Sequence, residues 1–326
     1  MSIPGWRESV LAATLALYGT SEQNPGAIAA AYKWYNHALC YQRQNLRLFI
    51  ENPSVQVNEM HVSMAVILAY SEVVLPSHTR AFSQHIKAAA TLLQIVGPEA
   101  CMHDNLHQIF LTIRLYMVYE SFGERKVSIF ASNDWIDVPF QNREKSSLDL
   151  VIDLLLQIPG ASPRMAATLL EGLWRQLVQS NPDLISSPRH IMLKQVLGFR
   201  DLWDCVPDRF RHSSSEAAIA LALYNFGWIT SLSLLKQCGD HAAEYAELID
   251  SHCGTILDAA AFVSTIEDGC SYIRLTPPLR SVLQYSSNQG QRKSALLFMR
   301  AWGKSINLLQ LSTGPFGQNW QFHDSD

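Results

Sequence analysis

The chain has 326 residues, with 25 Lys and Arg against 29 Asp and Glu, a formal net charge of -4, 17% charged and 48% hydrophobic residues. So little charge and so large an apolar share exclude a chain held open by its own repulsion. The 16 Gly and 14 Pro are too scattered for collagen or a long linker, and the slightly acidic balance weighs against a direct grip on nucleic acid, which draws most of its affinity from Lys and Arg displacing phosphate counterions.

Arg7 followed by the apolar run Val10 to Tyr18 could mimic a leader, but Glu8 in its flank reads as a helix. Apolar spacing and start signals then predict helices over 6–19, 25–50, 58–74, 78–96, 104–122, 146–158, 163–179, 188–205, 214–237, 240–266 and 276–310. Asn24-Pro25, Ser162-Pro163 and Ser187-Pro188 each set a capping side chain before a proline at the first helical position. Ser213-x-x-Glu216 reads as a capping box opening Ala217 to Lys236, and Asn58 and Ser77 are weaker starts. Gly123 to Lys145 is the longest expected non-helical connection, of a length that is functional or packs over a core. No period-2 strand and no internal repeat emerges. The expected fold is all-α, a single large helical domain over 1–326 with about ten or eleven helices. No run reaches the ~18 uninterrupted apolar residues of a membrane span, so none is expected. Six cysteines, Cys40, Cys101, Cys205, Cys238, Cys253 and Cys270, are widely spread, which reads as reduced, mostly buried thiols in an intracellular protein.

Three stretches carry a resemblance: His85 to Pro98, Ile113-Arg114 through Phe122 running into Ser128 to Phe140, and Thr276-Pro277-Pro278-Leu279-Arg280 followed by Arg292 to Trp302. Their order and spacing, over most of the chain, resemble the fungal-specific transcription factor domain, the helical regulatory region that follows a zinc binuclear cluster. The cluster's paired Cys-x-x-Cys halves are missing, and with the first helix beginning close to Met1 no DNA-reading module is expected upstream. The resemblance therefore implies either a nuclear regulatory or ligand-sensing domain that acts through a protein partner, or a helical scaffold put to another use. In length, architecture and lack of a finger the chain is also similar to the fungal sesquiterpene cyclases of α-humulene synthase type. That similarity implies a cytoplasmic enzyme of secondary metabolism that ionises farnesyl diphosphate, or another prenyl diphosphate, with Mg²⁺.

Such chemistry needs carboxylates on one helix face for the metal, cations for the leaving diphosphate and aromatic walls around the carbocation. Asp201 and Asp204 share a face at i and i+3, and Asp208 extends it beyond Pro207. Arg209, Arg211, Arg274 and Arg280 are the candidate diphosphate ligands, and Trp203, Tyr224, Phe226, Trp228, Phe298 and Trp302 the candidate walls. The Asp–Arg stretch reads equally as a solvated helix end. Asp240, Glu244 and Glu247 form a second acidic stripe that suits any first helical turn. His103 and His107 have zinc-ligand spacing but also read as a surface pair. Arg114 needs an acidic partner, for which Glu120 is the nearest candidate. Neither a catalytic general base nor a nucleophile is assigned, and a homodimer is expected only as the commonest assembly.

Overall fold

The sequence's start signals are found as working caps in the computed structural model, which describes residues 4–52, 56–78, 80–179, 214–238, 242–266 and 269–305. Asn24 accepts from the Ala27 amide at 3.1 Å with Pro25 in the first turn, and Ser162 accepts from Met165 at 3.3 Å. Asn58 accepts from the Met60 and His61 amides, while His61 Nδ1 accepts from the Asn58 amide, a reciprocal cap with histidine in the glutamate position. Twelve α-helices are present among the described residues, with no strand, and the fold is all-α.

The contacts gather in two compact units, one of described residues 4–124, 128–144 and 303–305, the other of 125–127 and 145–302. In the first unit, α1 (Trp6–Ser21) and α2 (Pro25–Glu51) meet through small residues. Ala12 and Ala16 face Ala27 and Ala31, all buried, and a Cβ added at Gly19 would lie 2.9 Å from the Ile28 backbone nitrogen. Glycine is what permits this approach. Across the same seam Met64 and Leu68 of α3 (Glu59–Val74) close a core with Ala12, Tyr35 and Ala38. Next come α4 (Ala81–Val96) and α5 (Asp104–Glu124). The expected long loop after α5 is instead a chain of short helical turns, Ile129–Ala131, α6 (Asn133–Asp137) and Val138–Phe140. Each turn delivers one aromatic: Phe130, Trp135 and Phe140 all pack on Phe110 of α5, with centroids 5.7–6.1 Å away. The segment is irregular because it carries core side chains at uneven intervals.

The second unit holds α7 (Ser147–Gln157), α8 (Pro163–Gln179), α9 (Ser215–Cys238), α10 (Ala242–Ile266), α11 (Gly269–Tyr285) and, as far as Trp302, α12 (Gln289–Ser305). Its centre is α9, which packs on α7, α8, α10 and α11. From Ser215 to Lys236 this helix is long and apolar enough to cross a membrane, a signal the search for an uninterrupted apolar run missed because small polar residues punctuate it. Within the protein 78% of its most apolar window is buried, as befits a core helix.

Two of the expected helices need correction. The helix expected at 214 starts at Ser215, and its cap is Ser214, whose hydroxyl accepts from the Ala217 amide at 3.1 Å. The helix expected over 276–310 is two helices, and the first runs straight through Pro277 and Pro278. Each proline inside a helix costs about 3 kcal/mol. Yet Tyr272, Ile273, Leu275, Leu279 and Val282 are all buried by this helix, and at about 1.5–3 kcal/mol per apolar side chain their burial outweighs the two lost hydrogen bonds. Of the four cysteines whose side chains are described, Cys101 and Cys253 are buried as expected, whereas Cys40 and Cys270 are exposed. Helix 188–205 lies outside the described residues.

Candidate functional site

Of the residues singled out for chemistry, Asp201, Trp203, Asp204, Asp208, Arg209, Arg211 and Asp240 lie outside the described residues. The described candidates for diphosphate ligands and aromatic walls all fall in the second unit, in two groups. On α9, Tyr224, Phe226 and Trp228 are buried. Tyr224 Oη donates to the Leu170 carbonyl of α8 at 3.3 Å, and burial drives its phenol upward, so it stays protonated. Trp228 stacks on His252 of α10, with centroids 5.7 Å apart and planes 8° from parallel. Between these aromatics sits Gly227, where an added Cβ would lie 2.6 Å from Leu155 Cδ2 and 3.2 Å from Leu170 Cδ2. The spacing that looked like a cavity wall is thus a helix-packing seam.

The second group is at α11 and α12. Trp302 stacks on Tyr272 at 4.6 Å and donates from Nε1 to Ser264 Oγ at 3.1 Å. Phe298, half-buried, tilts against Trp302 at 5.9 Å. Arg280 is buried, and burial lowers its pKa to about 10; Arg274 is half-buried one and a half turns earlier on α11.

His252 itself was not anticipated. Its Nδ1 pairs with Asn225 Oδ1 at 3.0 Å, which fixes the proton on Nδ1 because the amide oxygen accepts. Asn225 in turn donates to the Leu221 carbonyl at 2.6 Å. Burial depresses the imidazole to about 3, leaving it neutral. Next in sequence, Cys253 is pushed up to about 12 by burial and by Asp250, an inert thiol. Asp250 braces the turn between α11 and α12, accepting from Ser286 Oγ at 2.7 Å, from the Ser287 amide at 2.8 Å and from Ser287 Oγ. Burial raises this carboxyl, but those hydrogen bonds prevail and hold it below its usual range.

In the first unit, Tyr35 Oη lies 2.7 Å from His85 Nε2, joining α2 to α4. Glu72, buried on α3, accepts from the Ser77 amide and hydroxyl, each at 2.7 Å. Burial and the neighbouring Glu72 raise the Tyr35 phenol, and burial with His78 lowers His85 to about 4. Beside Tyr35 is a cavity of about 10 Å³ lined by Ala12, Ala16, Ala31, Ser71 and Leu75, room for about one water. No motif joins these four residues; only the folded chain brings them together.

Of the remaining sequence candidates, His103, His107, Arg114 and Glu120 lie in the first unit and Glu244 and Glu247 in the second. His107 is buried, and its Nδ1 lies 3.0 Å from the Cys101 carbonyl, whereas His103 is exposed, so they are not a surface pair. Arg114 lies over the Phe110 and Phe140 rings at 5.3 and 4.9 Å. Glu120, proposed as its partner, binds Lys87 at 2.9 Å. Glu247 is exposed and Glu244 half-buried on the first turns of α10. Among the described residues no three His, Cys, Asp or Glu side chains come close enough to hold a metal. No family model matches the chain, and no curated protein or solved structure matches it.

Proposed function

We propose that the chain is a helical binding domain of regulatory type that acts through a protein partner. One observation carries this reading: Tyr224, Trp228 and Trp302, the aromatics best placed to wall a substrate chamber, are spent on helix packing, and Gly227 has no room for one more carbon. The buried acid–base groups fit the same reading. His85 and His252 are neutral and hydrogen-bonded, and Cys101 and Cys253 are pushed up to about 12, so they pack rather than react. The resemblance of His85–Pro98 and of Ser128–Phe140 to the fungal regulatory domain favours it as well. The test is to tether the full chain to a heterologous DNA-binding domain upstream of a reporter. A severalfold change in reporter output is expected, and output equal to that of the DNA-binding domain alone would overturn the proposal.

A second reading, Mg²⁺-dependent cyclisation of a prenyl diphosphate, is favoured by Arg274 and Arg280 sharing α11 in a unit rich in aromatics. Its metal ligands would be Asp201, Asp204 and Asp208. It requires a hydrocarbon product from farnesyl diphosphate that depends on Mg²⁺ and is lost in Asp204→Asn.

A further inference from the structure

α12 is the most one-sidedly charged helix described. Between Gln289 and Ser305 it carries Arg292, Lys293, Arg300 and Lys304 and no Asp or Glu, in a chain whose net charge is -4. Arg292, Lys293 and Arg300 are exposed and form no ion pair among the described residues. Lys293, Leu297 and Arg300 stand at i, i+4 and i+7, one face of the helix. Leu297 is 56% exposed between the two cations, and Leu296 beside it is half-buried. The opposite face is already used: Ala295, Met299 and Trp302 are buried.

We infer that this face is the docking surface for an acidic amphipathic helix of a partner protein, with carboxylates meeting Lys293 and Arg300 and an apolar side chain covering Leu297. The surface rests on the partner-binding reading and gives it a location. Charge complementarity selects the occupant. Three exposed cations are too few for nucleic acid, where binding proteins commonly make about 6–10 phosphate contacts. A membrane-surface helix must bury its apolar face in lipid, and the apolar face of α12 is buried in its own unit. What remains is a short basic strip with one apolar anchor, matched by a helix with glutamates at i and i+7 and leucines at i+3 and i+4.

The probe is a fluorescein-labelled peptide of that pattern, read by anisotropy against the full chain. Micromolar binding is expected, weakened by salt and absent for the same peptide with glutamine in place of glutamate. Lys293→Glu with Arg300→Glu is expected to weaken binding at least tenfold, and Leu297→Ala severalfold with the salt dependence unchanged. All three positions are exposed, so the unfolding midpoints should stay near that of the wild type. No binding, equal binding of the glutamine peptide, or binding that survives the charge reversal would overturn the inference. So would capture of phosphatidylserine vesicles or duplex DNA that the charge reversal abolishes, or a dimer in sedimentation that it dissolves. A silent reporter with intact peptide binding removes the regulatory reading and leaves the docking face; an active reporter with no peptide binding does the reverse.

Discussion

His85 and His252 each make part of the fold's stability sensitive to acid. Both are bound as neutral imidazoles, to Tyr35 and Asn225, and burial lowers them to about 4 and about 3. In the unfolded chain each would titrate near 6.5. A lowered folded pKa contributes stability that is complete above the unfolded value and is lost as pH falls toward the folded one, so the loss runs from about pH 6.5 down to about 4 and 3. Its slope is about 1.4 kcal/mol per pH unit for each histidine. Urea unfolding at a series of pH values checks this: His252→Gln is expected to make the acid limb shallower by one proton, and an unchanged slope would show that this imidazole is not buried neutral. None of these partners was legible in the sequence, because Tyr35 and His85 are 50 positions apart and Asn225 and His252 are 27 apart. Hydrogen-bond satisfaction across such distances leaves no local pattern. Aromatic type and helical spacing made Tyr224, Trp228 and Trp302 stand out, but those signals do not distinguish a wall from a packed seam.

Close helix approach at α1–α2 depends on Gly19, and the second unit supplies its control. At Gly19 an added Cβ meets the Ile28 backbone nitrogen, which cannot step aside, whereas at Gly172, on the exposed face of α8, it meets nothing within 4 Å. Gly19→Ala is therefore expected to destabilise by about 1–3 kcal/mol, and Gly172→Ala to stabilise by about 0.5–1 kcal/mol. Denaturant midpoints of the two variants read the difference; two shifts of the same sign would contradict the packing described. Starts of elements were legible where a capping side chain stands before proline, as at Asn24-Pro25 and Ser162-Pro163, because that cap is purely local. The continuation of α11 through Pro277-Pro278 was not. There the local rule says stop, and burial of Tyr272, Leu275 and Leu279 decides otherwise. The same competition made Gly123 to Lys145 read as a loop, since Phe130, Trp135 and Phe140 reach the core from turns too short to show a period.

At the scale of the molecule, fold class was legible from low charge and helical spacing alone, since both are averages over hundreds of residues. The gathering of contacts into two units was not, because it depends on which helices choose one another. Function follows the same division. The partner-binding account rests on interiors filled by their own aromatics and on a basic strip left outside, with α12 contributing to both. It is tested most directly by incubating the purified chain with farnesyl diphosphate and Mg²⁺ and reading volatiles by gas chromatography. The account predicts no hydrocarbon above the boiled control. A Mg²⁺-dependent sesquiterpene that disappears in Asp204→Asn would contradict it and establish the chain as a cyclase.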